Sequence, residues 1–114
     1  MNRGLNMAYF TELKKEFAEV SDFLIALGDE KRQAIIVRLL EEGACQGVRV
    51  SELTEDTKLS RPAVSHHLKI LKDANIVDYR SEGTKNYYYL THETKEIEKL
   101  KQLLDKVMHI MLKE

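Results

Sequence analysis

The sequence predicts a mainly α-helical fold that carries one small β-hairpin. Several segments repeat apolar residues at steps of three and four, which is the spacing of one face of an amphipathic helix. One pair of β-rich runs, IVDYR and NYYYL, flanks a turn-forming stretch that contains Gly83. The chain has 114 residues, of which 43% are hydrophobic and 32% charged, so we expect one domain with a modest core. These observations predict five or six helices and a hairpin of two or three strands.

The chain is expected to begin with a short tail and a first helix. Residues 1–6 are predicted to be a disordered tail, and the domain is predicted to span residues 7–114. The first helix covers residues 7–20. Its apolar face consists of Phe10, Leu13, Phe17 and Val20.

Two further helices are predicted before the centre of the chain. The short segment DFLIAL follows a cap at Ser21 or Asp22 and stops at Gly28. Asp29 caps the next helix, which ends at Gly43. The predicted buried face of that helix consists of Ile35, Ile36, Leu39 and Leu40.

The central segment predicts a pair of helices joined by a tight turn. Residues 48–50 are long enough only for an edge strand, and Ser51 is the predicted cap of the helix SELTEDTK. Ser60 caps the following helix, whose first turn tolerates Pro62 because that turn does not use the amide hydrogen. Asn75 is a suitable left-handed stop. The packing stripe of this helix consists of Val64, Leu68 and Leu71.

The last segment, residues 93–112, predicts a long amphipathic helix. Its apolar residues again advance by three and four positions. The predicted stripe consists of Ile97, Leu100, Leu104, Val107 and Met111, and it is widened by Leu103 and Ile110.

Charge is unevenly distributed along the chain. The net charge is −1, but residues 58–90 carry six Lys or Arg against three acidic residues. The remaining residues hold 12 basic and 16 acidic side chains. A basic segment on an acidic body is expected where a polyanion binds, although a local excess of three charges also arises by chance.

The order helix, tight turn, helix, hairpin is that of a winged helix-turn-helix. The helix after Ser60 would be the recognition helix, and its N-terminal end would enter the major groove of DNA. The hairpin would be the wing, which contacts the flanking backbone. The candidate DNA-binding residues are Ser60, Arg61, Pro62, Ser65, His66, Lys69, Arg80 and Lys85.

Two stretches of the chain resemble the ArsR/SmtB family of bacterial winged-helix repressors. The first is LGDEKRQAIIVRLLEEG, and the second is SELTEDTKLSRPAVSHHLKILKDANIVDYRSEGTKNYYYL. The run VSHHLKIL, followed by a hairpin with Glu82-Gly83 near its tip, is the most specific part. Lys58 and Asn75 stand where the family commonly has Gly, and Thr84 follows Gly83 where a basic residue is common.

The resemblance implies a homodimer that binds an inverted repeat in double-stranded DNA. The apolar stripes of both terminal helices favour the same assembly, since a two-fold operator needs a two-fold protein. The alternative is that both helices close the core of a monomer. The candidate interface residues are Phe10, Leu13, Phe17, Leu100, Leu103, Leu104, Val107 and Met111.

Metal sensing is a property of many relatives, but its sequence signals are weak here. Where a common site has a Cys-x-Cys pair, this chain has Arg49-Val50-Ser51. Asp105 and His109 lie one helical turn apart and are weak metal candidates, more simply explained as exposed charges. No cofactor is expected.

The adjacent histidines His66 and His67 and the single cysteine, Cys45, are further candidates for a functional role. His67 is expected to be half-buried and bonded to the backbone, whereas His66 faces DNA. Cys45 could be a redox switch, but a lone cysteine is usually only a small side chain, and it fits a reducing cytoplasm.

Other classes of protein are less compatible with the sequence. No glycine-rich phosphate loop, paired carboxylates or Cys-His arrangement indicates an enzyme. No apolar run reaches the length of a membrane span, so no membrane insertion is expected. A winged helix used only for protein interaction is the alternative, although such a face would show more aromatic and aliphatic anchors. The inducer, whether metal, small molecule, redox signal or protein partner, stays open.

Overall fold

The computed structural model describes residues 6–43 and 46–113. Within these ranges the chain forms six helices and one antiparallel hairpin, so the predicted mainly α-helical fold with a small hairpin is confirmed. The helices are α1 (Asn6–Glu19), α2 (Ser21–Leu27), α3 (Glu30–Glu42), α4 (Val50–Thr57), α5 (Arg61–Asp73) and α6 (Lys95–Lys113). The strands are β1 (Val77–Glu82) and β2 (Lys85–Leu90). No helix in the described ranges is long and apolar enough to cross a membrane.

The chain divides into two compact units. The terminal-helix unit contains α1 and α6, and the winged-helix unit spans Asp22–Glu93. The single domain over residues 7–114 stays a prediction. The predicted tail at residues 1–6 lies outside the described residues, except that α1 begins at Asn6. Cys45 also lies outside them.

The core of the winged-helix unit is built from one face of each of its longer helices. Fully buried side chains come from α3, α4, α5 and the start of β1. They include Ile35, Leu39, Leu53, Val64, Leu68, Leu71 and Val77. The predicted buried face of α3 is wrong at one position, because Leu40 is 63% exposed. Leu40 lies about 100° around the helix from Leu39, so it points away from the core.

The hairpin pairs β1 with β2 in an antiparallel register that runs from Val77 opposite Leu90 to Glu82 opposite Lys85. A third segment adds to it through Val48. The amide of Val48 donates to the Tyr88 carbonyl at 2.8 Å, and the Tyr88 amide donates back at 2.9 Å. The short edge strand predicted at residues 48–50 is therefore reduced to one bridging residue.

The ends of the helices follow local chemistry. The predicted cap at Asp29 is confirmed, because its Oδ1 accepts from the amides of Lys31 at 2.9 Å and Arg32 at 3.0 Å. The predicted cap at Ser51 is wrong, since α4 begins at Val50 with Arg49 as its N-cap. The Glu52 carboxylate reaches back to the Arg49 amide at 3.0 Å and so starts the helix earlier.

The terminal-helix unit has a small core of its own. Leu13, Val20 and Leu103 are buried, and four apolar residues pack partly against them. These four are Tyr9, Phe10, Leu100 and Ile110. The residues expected to widen the stripe of α6, Leu103 and Ile110, therefore pack on the core. Part of the predicted main stripe is exposed instead, at Ile97, Leu104 and Met111.

Candidate nucleic-acid interface

Helix α5 is positioned by its own first turn and by its apolar stripe. Ser60 is the N-cap, as predicted, and its Oγ accepts from the Ala63 amide at 3.3 Å. Pro62 lies in the first turn, where its missing amide hydrogen has no cost. The buried stripe of Val64, Leu68 and Leu71 is confirmed.

The opposite side of α5 carries the predicted DNA-binding residues. With the packing stripe inward, five of these side chains are exposed on α5 and its first turn. They are Arg61, Pro62, Ser65, His66 and Lys69. Ser60 is also exposed, while its hydroxyl is engaged in the cap. Short or cationic donors at a helix N-terminus suit phosphates and base edges.

The turn between α4 and α5 is held by Thr57 and Lys58. The buried Thr57 hydroxyl donates to the Leu53 carbonyl at 2.7 Å and accepts from the Leu59 amide at 3.3 Å. Lys58 has a φ of 63°, in the left-handed region, where glycine is usual. Its amide bonds to the Thr54 carbonyl at 2.9 Å and ends α4. The turn therefore fixes the direction in which α5 leaves α4.

The buried Arg32 connects α5 to α2 and α3. Arg32 is only 8% exposed, and its guanidinium donates to the carbonyls of Ala26 at 2.9 Å and Ile25 at 3.0 Å. The same guanidinium lies 3.0 Å from Nδ1 of His67 on α5. Burial lowers the pKa of His67, and the carboxylate of Asp29 acts in the opposite direction. His67 is half-buried as predicted, but this partner is a side chain rather than the backbone.

Of the two predicted DNA-contact residues in the wing, Arg80 forms hydrogen bonds within the protein. Arg80 donates to Glu82 at 2.8 Å and to the Gln46 carbonyl at 2.8 Å, and it stacks 5.1 Å from the Tyr87 ring centre. Gly47 has a φ of 79° and lies against Tyr87, because a Cβ added to Gly47 would be 2.8 Å from the Cβ of Tyr87. Arg80 therefore braces the wing. Lys85, at the start of β2, is exposed.

Other lysines near α5 also have partners. Lys69 Nζ forms an ion pair with Asp73 at 3.0 Å, one turn along the helix. Lys72 Nζ lies 5.9 Å from the ring centre of Tyr79. A nucleic acid would therefore compete with Asp73 for Lys69.

Sequence reasoning gave no role to a second arginine, Arg38. Its guanidinium contacts three carboxylates, those of Glu42 at 2.8 Å, Glu52 at 3.2 Å and Asp56 at 2.9 Å. The hydrogen bond from Glu42 raises the pKa of Arg38 above its usual value. The cluster joins α3 to α4. The spacing of Arg38 and Glu42 by four residues is its one local signal.

Two comparisons with known proteins establish the family of this chain. A sequence model for the bacterial regulatory proteins of the arsR family matches residues 30–79, from α3 into β1. An uncharacterized HTH-type transcriptional regulator of Methanocaldococcus jannaschii is 38% identical over 87 residues, covering 75% of this chain and 94% of the relative. The chain belongs to the arsR family.

Further similarities agree with this membership. An arsenical resistance operon repressor of Staphylococcus aureus is 34% identical over 76 residues, covering 67% of this chain and 69% of that repressor. The solved structure of an ArsR-like transcriptional regulator from Rhodococcus sp. RHA1 has the same fold, with a TM-score of 0.70 at 24% identity. The match covers 85% of this chain and 84% of that one. This arsR-family protein is a DNA-binding transcriptional regulator and not an enzyme.

The two weak metal candidates of this regulator lie on α6. Asp105 and His109 are both exposed. Among the described residues, no group of three or more His, Cys, Asp or Glu side chains could hold a metal ion.

Proposed function

We propose that this arsR-family regulator is a cytoplasmic repressor that binds an inverted-repeat operator as a homodimer. The observation that carries the proposal is the exposed donor end of α5. Arg61, Ser65 and His66 extend from a helix whose opposite face is fully buried, so the helix presents them as a rigid group. Arg61 would bind guanine edges or a phosphate, and Ser65 and His66 would bond to bases or phosphates.

The homodimer is supported by apolar side chains that the terminal-helix unit leaves exposed. Ile97, Leu104, Met108 and Met111 are each at least 48% exposed on α6. Their spacings of seven, four and three residues place them in one stripe. Phe17 of α1 is 41% exposed. Leu104, Met111 and Phe17 belong to the predicted interface, whereas Leu13 and Leu103 are buried within the single chain.

A release signal is part of the proposal, but its chemistry is open. Several relatives are named for resistance to arsenic or cadmium. In this chain the start of α4 reads Arg49-Val50-Ser51 and offers no thiolate. Zinc is therefore tested as one candidate signal among several.

The decisive experiment is a selection of random duplex DNA on the purified protein, at fixed salt, with and without zinc. We expect an enriched inverted repeat whose half-sites lie about one helical turn apart. Arg61→Ala and Ser65→Ala should weaken binding to that site. Lys15→Ala is the control for Arg61→Ala, because it removes an equal charge from an exposed position on the side of α1 away from Phe17. Enrichment of no sequence, with weak and salt-sensitive binding, would refute the proposal.

A second candidate function is a protein-interaction module without its own operator. The observation that favours it is an open concave surface on α3 and α4 with apolar Ala34 and Val37 beside acidic Glu30, Glu41 and Asp56. Val37 is 52% exposed. This candidate takes first place if the DNA selection enriches nothing.

A further inference from the structure

The contact between Arg32 and His67 fixes the protonation of the histidine ring. A guanidinium has only donors, so the Nδ1 atom 3.0 Å from Arg32 must accept the hydrogen bond. His67 is therefore neutral in this arrangement, with its ring hydrogen on Nε2. A protonated ring would carry a hydrogen on Nδ1 that points at the guanidinium, and the hydrogen bond would be replaced by repulsion.

Among the described residues, the carboxylate that faces Nδ1 is that of Asp29, which favours a positive charge on His67 but lies beyond hydrogen-bonding distance. The Asp29 carboxylate on the N-cap of α3 is 4.0 Å away, and its Oδ1 already accepts two backbone amides. Arg32, from α3, and His66, on α5 with its ring 6.0 Å away, both oppose a positive charge on His67. Arg32 itself is held by two carbonyls of α2, so it cannot retreat without losing those bonds.

We propose that neutral His67 is a positioning residue that holds α5 in its DNA-binding orientation through Arg32, and that acidification releases it. The inference rests on the proposed operator binding. His67 is on the same helix as the exposed donors, directly after His66 and six residues after Arg61. Displacement of the ring therefore shifts the side chains that would read the DNA. The regulator would bind its operator near neutral pH and lose affinity in acid.

A loss of operator affinity in acid is the opposite of what a direct contact between a histidine and a DNA phosphate would produce. An exposed histidine against a phosphate gains charge in acid and tightens binding. Loss of the His67 contact acts in the other direction, so weakening in acid points to His67.

The test measures affinity for the selected operator at constant ionic strength from about pH 7.5 to about pH 5.5, across the usual histidine range. The wild-type protein should lose about tenfold or more, equivalent to about 1.4 kcal/mol. His67→Asn keeps an acceptor near the Nδ1 position but does not titrate, so its affinity should stay flat or rise. His92→Asn removes an exposed histidine from the same unit and should behave as wild type. A wild-type affinity that is flat or rises, or a His67→Asn protein that still loses tenfold, overturns the proposal.

A second measurement uses the wild-type protein without DNA. Heteronuclear NMR of the imidazole nitrogens should find His67 as the Nε2–H tautomer at neutral pH, with a pKa below the usual histidine value of about 6.5. An Nδ1–H tautomer would overturn the inference even if an operator is found. Failure to select any operator, with the expected tautomer present, would instead count against the proposed function and leave the Arg32 contact supported.

Discussion

Arg80 in the wing donates a hydrogen bond to the backbone carbonyl of Gln46, 34 positions earlier in the chain, at 2.8 Å. The same guanidinium is also bonded to Glu82 and stacked on Tyr87. An arginine engaged in this way contributes to the shape of the wing rather than extending freely toward a phosphate. Arg80 therefore has a structural role in the wing, whereas the exposed Lys85 is the wing residue available for a phosphate contact.

Arg80→Ala should weaken operator binding without changing its dependence on salt. Loss of the brace should lower the free energy of unfolding by about 0.5–1 kcal/mol, because the contacts are partly exposed. Lys85→Ala should show the opposite pattern, with unchanged stability and a salt slope reduced by about 1, as expected when one phosphate contact is lost. Titrations at several salt concentrations, together with urea denaturation, measure both quantities. A reduced salt slope for Arg80→Ala would restore it as a DNA contact.

Lys58→Gly should stabilise the protein. Lys58 holds a left-handed conformation at the end of α4, and its side chain is exposed. Removing Cβ relieves steric strain, although glycine loses more backbone entropy on folding, so we expect a net gain of about 0.5–1 kcal/mol. Lys58→Ala removes the same charge and keeps the strain, so it serves as the matched control. Equal unfolding free energies for the two variants, measured in urea, would contradict the strain argument.

Helix α5 could be predicted almost completely from the sequence because its signals are local. Ser60, Pro62 and the stripe of Val64, Leu68 and Leu71 act within one helix, and all are found in their predicted roles. Asn75, predicted as a left-handed stop, has a φ of 61°. A cap, a first-turn proline and a helical repeat require no knowledge of the rest of the fold.

The roles of α6 and Arg32 could not be predicted, because each depends on a partner distant in sequence. Helix α6 has two apolar stripes with helical spacing, and only packing against α1 decides that Leu103 is buried and Leu104 exposed. Arg32 has the sequence signature of a surface charge. Its burial is compensated by the carbonyls of α2 and the ring of His67, which only the folded unit brings together.

The proposed dimer can be tested at two adjacent residues of α6. Leu104 is 51% exposed in the single chain, whereas Leu103 is 1% exposed. Leu104→Glu should give a folded monomer, because a charge would be buried in the interface but not in the protomer. Leu103→Glu should destabilise the terminal-helix unit itself, by on the order of 3–5 kcal/mol.

Sedimentation gives the oligomeric state of both variants, and circular dichroism gives their helix content. A Leu104→Glu protein that remains dimeric at micromolar concentration would place the interface elsewhere. A wild-type protein that sediments as a monomer would remove the dimer from the proposed function.

The stability of the free protein should fall in mild acid because of His67. Burial lowers the pKa of His67 in the folded state, so the unfolded chain binds a proton more readily. The contribution of neutral His67 is therefore complete above its usual pKa of about 6.5 and is lost as pH falls through the lower folded-state pKa. For one proton the slope of the unfolding free energy cannot exceed about 1.4 kcal/mol per pH unit.

Asp29 acts in a separate and more acidic window. The hydrogen bond from the Arg32 amide lowers the pKa of Asp29, so its contribution is present above the usual carboxyl pKa of about 3.9 and is lost below it. Urea denaturation of the wild type and of His67→Asn between about pH 7.5 and pH 5 isolates the histidine from this carboxyl. As pH falls, the wild type should lose stability relative to His67→Asn, since only the wild type carries the titrating ring. A pH-independent difference would mean that His67 is as easily protonated in the folded chain as in the unfolded one.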